Sequence, residues 1–222
     1  MKPLAVLRPE PGASATLSRA RAMGLQAFAI PLFSVEPLAW TAPDPSAFDG
    51  LLLTSANAVR HAGTGLAALK LLPAHAVGAA TADAALAAGL TIAAVGNGGV
   101  EELLGSLPGE LRLLHLCGER RRMPATPEQR VTPVPVYRST EIRTPLGLHR
   151  LAGAVALVHS PRAGRRLAEL APERSLTTVA AISAAAAEAC GRGWQDVAVA
   201  PRPNDDAMLS LAAALCKQSD PE

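Results

Sequence analysis

Four small hydroxyl residues stand where a short apolar run gives way to an Ala-rich stretch: Ser55 after residues 51–54, Thr81 after 76–77, Ser160 after 155–158 and Ser183 after 178–182. At a strand-to-helix turn, the first backbone N–H groups of the helix lack partners and carry a partial positive charge. Such a loop accepts a carboxylate or phosphate without needing a cationic side chain. Taken singly, each hydroxyl also reads as an N-cap that accepts one of those N–H groups, contributing about 0.5–2 kcal/mol. Four of them at matching places in two halves of the chain favour a shared anionic ligand. Gly78, Pro161 and Ala184 belong to the same loops and would contribute backbone contacts.

Tyr137 is the single tyrosine and lies at the end of the β-type run 131–136. A phenol can donate a proton or hydrogen-bond a departing hydroxyl, or serve as a half-buried structural ring. Arg8 follows the first apolar run, and Arg120, Arg121 and Arg122 follow Leu116-Cys117-Gly118-Glu119. Cations there could meet an acidic ligand or form a solvated helix face. Standard catalytic signatures are missing: the chain has no G-x-S-x-G, H-E-x-x-H, G-x-x-x-x-G-K-[ST] or C-x-x-C. Gly96-Asn97-Gly98-Gly99 lacks the third glycine of a dinucleotide fingerprint. His61, His75, His115, His149 and His159 show no metal-ligand spacing, and His159 reads as a loop histidine. No cofactor and no metal are expected.

The elements that must position these residues are short. Apolar runs at 4–7, 27–30, 51–54, 76–77, 92–95, 111–116, 131–136, 155–158, 178–182 and 197–200 lack alternation, as strands covered on both faces do. Between them, 15–23, 58–69, 82–88, 100–104, 163–170, 184–190 and 206–216 have helical spacing, with Gly24, Gly89 and Gly193 placed as helix ends. Strand and helix in alternation predict an α/β protein with parallel sheets. An internal repeat runs through it. One offset carries Leu53-Thr54-Ser55-Ala56-Asn57 onto Val158-His159-Ser160-Pro161-Arg162, Val77-Gly78-Ala79 onto Ile182-Ser183-Ala184, and Leu103-Leu104 onto Met208-Leu209. An offset one residue shorter pairs Ile30-Pro31-Leu32-Phe33 with Val134-Pro135-Val136-Tyr137. Ligands of open α/β sheets sit at the carboxyl ends of the strands, and two such edges facing each other would make a cleft.

The 222 residues allow one large domain or two of about 100 residues each. At 49% apolar, the chain is too hydrophobic to be disordered. Lys and Arg total 21 against 19 Asp and Glu, and only 3% of residues are aromatic, which argues against a nucleic-acid partner or a base-stacking platform. No run approaches the roughly 20 apolar residues of a membrane span, and the run 4–7 stops far short of a signal-peptide core at Arg8-Pro9. Three scattered cysteines fit buried thiols in a reducing cytoplasm.

Val6-Leu7-Arg8-Pro9, Leu53-Thr54-Ser55-Ala56-Asn57, Val77-Gly78-Ala79-Ala80-Thr81, Leu116-Cys117-Gly118-Glu119-Arg120, Val134-Pro135-Val136-Tyr137-Arg138, Ser160-Pro161 and Ala200-Pro201-Arg202-Pro203 occur in that order. As an ordered set they resemble the uroporphyrinogen-III synthase family. The resemblance implies two flavodoxin-like domains with parallel sheets, joined by a two-stranded linker at about 30–37 and 134–142. The first domain would be discontinuous, 1–33 with 141–222, and the second would be 37–134, inserted between. It implies a cyclising lyase that closes hydroxymethylbilane to uroporphyrinogen III, with loss of water and inversion of ring D, in heme biosynthesis. Tyr137 would assist hydroxyl departure. Arg8, Ser55, Gly78, Thr81, Gly118, Arg120, Ser160, Pro161, Ser183 and Ala184 would bind substrate. Where relatives carry threonines in the second-half loop, this chain has Ala184-Ala185-Ala186-Ala187, which leaves Ser183 as its one hydroxyl. The expected enzyme is a cytoplasmic monomer acting on a small molecule, with no nucleic acid or membrane partner. The competing readings are a non-catalytic two-domain protein closing on an anion and, less well supported by the glycine pattern, a nucleotide-dependent Rossmann enzyme.

Overall fold

The computed structural model describes residues 1–96, 98–120 and 128–217. Asn97, Arg121 and Arg122, considered above, lie outside them. The strands are β1 (Leu4–Val6), β2 (Ala27–Ala29), β3 (Phe33–Pro37), β4 (Gly50–Leu53), β5 (Ala74–Val77), β6 (Ile92–Gly96), β7 (Arg112–Gly118), β8 (Arg130–Glu141), β9 (Val155–Val158), β10 (Thr178–Ala181) and β11 (Asp196–Val199). The α-helices are α1 (Gly12–Ala22), α2 (Ala56–His61), α3 (Ala79–Ala87), α4 (Val100–Gly105), α5 (Pro161–Leu170), α6 (Ala184–Ala189) and α7 (Asp205–Lys217). The chain divides into two compact units, Met1–Ser34 with Glu141–Glu222, and Val35–Thr140.

In the first unit, five strands run in the order β11-β10-β9-β1-β2, with parallel pairings throughout. Successive side chains of a strand point to opposite faces, and both faces are covered here. Leu4, Val6, Val155 and Leu157 pack against Ala13 and Ala20 of α1 and Met208, Leu209 and Ala212 of α7. Ala5, Ala156, Val158 and Val179 pack against Ala163 and Leu167 of α5, Ala186 of α6 and Cys190 at its C-terminus. This double cover accounts for the unbroken apolar runs. A β-carbon on Gly164 would meet the Ala186 carbonyl at 2.7 Å and Cys190 Sγ at 3.0 Å, so α5 and α6 need a hydrogen at that position to lie this close.

In the second unit, the order is β3-β8-β7-β4-β5-β6. Counted within that unit from β4, its central strands run 3-2-1-4-5 in spatial neighbourhood terms, with β4 between β7 and β5. The first unit instead places β1 between β2 and β9. Both sheets are open with helices on both faces, as doubly wound sheets are. The second is parallel from β6 to β8, while β3 runs antiparallel to β8, with Leu38 N–H donating to the Val136 carbonyl and Ile142 N–H to the Leu32 carbonyl. One face of the second sheet, with Leu51, Leu53, Leu114 and Leu116, is covered by Ala58 and Val59 of α2, Leu66 and Leu69 of a 3₁₀ segment, and Ala85 of α3. The other face, with Leu52 and Leu113, is covered by Leu103 and Leu104 of α4.

Several elements differ from the sequence expectation for identifiable reasons. β3 is missing from the apolar runs because Phe33-Ser34-Val35-Glu36 alternates, as a half-covered edge strand does. The expected helix 58–69 breaks after α2 into a 3₁₀ turn at Gly63, whose φ is +60°. Trp40 donates to the Ala62 carbonyl there at 2.9 Å. Gly191, not Gly193, closes α6, with its N–H on the Glu188 carbonyl. Thr81 does not cap α3. That position belongs to Gly78, whose φ of +82° is open to glycine, and Thr81 lies one turn inside, buried.

Candidate functional site

Ser55, Ser160 and Ser183 hold N-cap positions. Their hydroxyls accept from the N–H groups of Asn57 at 3.2 Å, Ala163 at 3.1 Å and Ala186 at 3.3 Å. Pro161 and Ala184 are the first residues of α5 and α6. The capping role is therefore filled at all three serines, and Ser55 in addition lines a cavity.

That cavity, of about 280 Å³, lies wholly within the second unit and is lined by Thr54, Ser55, Val77, Val100, Gly118, Arg120 and Tyr137. Thr54 and Ser55 follow β4, Val77 ends β5, Gly118 ends β7, Tyr137 projects from β8, and Val100 opens α4. These are carboxyl ends around the β4 strand, where the strand order reverses and doubly wound sheets bind ligands. Four sequence candidates thus meet in one hollow: Ser55, Gly118, Arg120 and Tyr137. Gly78 and Thr81 belong to the same unit but not to its walls. Arg8, Ser160, Pro161, Ser183 and Ala184 are in the other unit, at the ends of β1, β9 and β10.

Gly118 serves Tyr137 sterically. A bulge between Cys117 and Gly118 brings Gly118 opposite Tyr137, and the Glu119 N–H donates to the Tyr137 carbonyl at 2.9 Å. A β-carbon on Gly118 would stand 2.8 Å from Tyr137 Cζ and 3.0 Å from its hydroxyl oxygen. The phenol occupies the space that a side chain would take. His61 lies beside it, ring centroids 6.2 Å apart, and burial followed by the neighbouring Arg60 charge pushes the His61 pKa down.

Sequence reasoning missed Thr54 and its buried partner. Thr54 Oγ1 lies 2.9 Å from Nε2 of His115, a fully buried residue of β7. Nothing local signals this contact, because it exists only once β4 and β7 pair in register, Leu52 opposite His115. Arg8 likewise has a partner far along the chain. It donates to Asp205 at 2.8 Å and Thr16 at 3.4 Å, while Asp205 also lies 3.7 Å from Arg19 and 3.5 Å from His159. The His159 hydrogen bond first, then the Arg8 and Arg19 charges, hold the Asp205 carboxyl down at about 2 against the opposing effect of burial.

Chemically, the second-unit hollow offers a guanidinium, three hydroxyls and two valines, with no carboxylate among its described lining residues. It can grip an anion against an apolar body and donate a hydrogen bond from a phenol; its lining residues supply no general base of ordinary strength. Among the described residues, no group of three or more His, Cys, Asp or Glu side chains is arranged to hold a metal ion, and no helix is long and apolar enough to cross a membrane.

Fold and hollow together define an α/β protein with a polar-lined hollow at the carboxyl ends of β4, β5 and β7. The chain belongs to the uroporphyrinogen-III synthase family: the family model HEM4, uroporphyrinogen-III synthase HemD, matches residues 14–210. Its members are cyclising lyases of porphyrin biosynthesis. Two solved structures share the fold. Uroporphyrinogen-III synthetase from Helicobacter pylori 26695 is 17% identical, with a TM-score of 0.68 over 97% of this chain and 100% of that one. A mutant uroporphyrinogen III synthase from the extremely thermophilic bacterium Thermus thermophilus is 21% identical, with a TM-score of 0.56 over 98% and 100%. No curated protein matches the chain.

Proposed function

We propose that this chain closes hydroxymethylbilane to uroporphyrinogen III, and that the hollow beside Tyr137 holds the reacting end of the bilane. The observation that carries this reading is the meeting of Tyr137, Arg120, Ser55 and Gly118 in one cavity of a chain that belongs to this family. In the proposed sequence, the ring-A hydroxymethyl C–O bond breaks and the hydroxyl leaves as water, assisted by the Tyr137 phenol. The resulting azafulvenium carbon is attacked by the substituted position of ring D. The spiro intermediate fragments and recloses at the free position, and the proton lost at that closure restores the phenol. Arg120 and the hydroxyls of Thr54 and Ser55 take acetate or propionate carboxylates, Arg120 by charge-assisted hydrogen bonds. Holding the chain in one folded geometry is the larger part of the catalysis, which fits walls rich in donors and poor in acid–base groups.

In this reading, the first unit is a discontinuous flavodoxin-like domain, the second is an inserted doubly wound domain, and β3 with β8 forms the linker. Arg8, Gly78, Thr81, Ser160, Ser183 and Ala184 contribute further donors to the bilane's carboxylates, and Pro161 contributes an apolar contact beside Ser160. The enzyme works without a cofactor, as a cytoplasmic monomer. Incubation with freshly generated hydroxymethylbilane, followed by oxidation and separation of the porphyrin isomers, tests it. Uroporphyrin III in excess of isomer I is expected; isomer I alone would leave only an anion-binding protein.

A further inference from the structure

A histidine that sees no solvent carries no obvious duty in the reaction above, yet it touches the wall of the hollow. His115 lies in β7 between Leu114 and Leu116 and opposite Leu52 of β4. Alternation along the strands puts Leu113 and His115, and Leu52 and Thr54, on the face covered by α4. The register that aligns these residues sets Nε2 of His115 2.9 Å from Oγ1 of Thr54. Burying a polar ring among leucines is costly unless its hydrogen bonds are made, and the hydroxyl it meets is a lining residue.

A threonine hydroxyl has one hydrogen and two lone pairs. With Nε2–H donating, a lone pair of Oγ1 is engaged and the Thr54 hydrogen is free to point into the hollow. With the opposite tautomer, that hydrogen is taken by Nε2, and Thr54 offers the ligand only lone pairs, which repel a carboxylate. A ligand that is anionic, as in the function proposed above on which this inference rests, requires the first arrangement. We infer that His115 is a positioning residue, held as the Nε2–H tautomer, which fixes Thr54 as a hydrogen-bond donor to a substrate carboxylate. His115 does not touch the substrate; Thr54 does.

The unmodified protein gives the first test. Imidazole ¹⁵N NMR should show the His115 Nε2 protonated; an unprotonated Nε2 would overturn the inference without any variant having to fold. In the isomer assay, His115→Phe and Thr54→Val should each reduce kcat/KM by about 10–150-fold, mostly through KM, as expected for one hydrogen bond to a charged group. The double variant should lose little more than either single one, because one interaction is removed in both. Gln reaches the Nε2 position with an amide N–H, so His115→Gln should recover to within about threefold of the parent. Additive losses, or a Gln variant as impaired as the Phe variant, would sink the positioning role. The same four proteins titrated with uroporphyrin as a polycarboxylate probe separate the two claims. If no type III isomer forms but the two substitutions weaken probe binding non-additively, the reaction assignment fails and the His115–Thr54 device stands.

Discussion

The hydrogen of Gly118 and the ring of Tyr137 share one small volume, so these residues should fail together. Tyr137→Phe removes the phenolic donor and leaves the positioning intact. We expect the rate of type III isomer formation to fall by about 3–100-fold, since positioning dominates and general acid help is bounded near 10²–10⁴. A fall beyond about 10⁵ would make Tyr137 far more central than the proposed sequence allows. Gly118→Ala places a methyl 2.8 Å from the Tyr137 ring and must turn it aside. A loss in the same range of about 3–100-fold is expected, because a misplacement of about 1 Å can cost 10²-fold, with little change in the thermal midpoint. Wild-type activity in this variant would detach Tyr137 from the chemistry. Asp205 belongs to stability instead. Its folded pKa of about 2 lies below the ordinary value of 3.8. Its contribution is therefore complete above the unfolded value and is lost as pH falls through the folded one. Asp205→Asn should lower the midpoint at about pH 6, and the gap to the parent should narrow between about pH 4 and pH 2; a gap independent of pH would show that the carboxylate's charge is irrelevant.

At the level of elements, contact between α5 and α6 depends on one missing β-carbon. The obstacle at Gly164 is a backbone carbonyl at 2.7 Å, which cannot swing away as a side-chain tip can. Gly164→Ala should therefore destabilise the protein by about 1–3 kcal/mol in denaturant titration despite the better helix propensity of Ala. The elements themselves are largely readable from the sequence. Strands such as β1, β9 and β10 are buried on both faces, so their apolar runs are unbroken. β3 is not, because its alternating residues carry the weaker signature of an edge. The site is readable where its residues are local to one loop, as Ser55 is, or chemically singular, as Tyr137 is. It is opaque wherever two strands must pair before the residues meet. Thr54 stands out only as part of a repeated segment, and His115 only as an unspaced histidine. Arg8 looks like a cation awaiting a ligand because Asp205, nearly the whole chain away, cannot be assigned to it before the sheet exists. Thr81 is misplaced for a local reason, since a glycine at positive φ starts the helix earlier than a hydroxyl rule suggests.

For the whole molecule, the division into units makes an asymmetric forecast about fragments. Val35–Thr140 is one continuous stretch that holds β4 to β7 and a two-sided core of its own. Expressed alone, it should unfold cooperatively in chemical denaturant. Residues 141–222 alone hold β9, β10 and β11 but lack β1, which pairs with both β9 and β2. They should remain without a cooperative transition until a peptide of residues 1–34 is added. A cooperative transition in the 141–222 fragment by itself would contradict the role given to β1.

The same interleaving bears on how the protein is made. Leu4 is synthesised long before Val155, one of its two neighbours in the sheet, which follows only after the entire inserted unit. The nascent chain must carry an apolar segment unsatisfied on one side while the middle of the molecule completes itself. This exposes that segment to chaperones and to premature partners for most of translation.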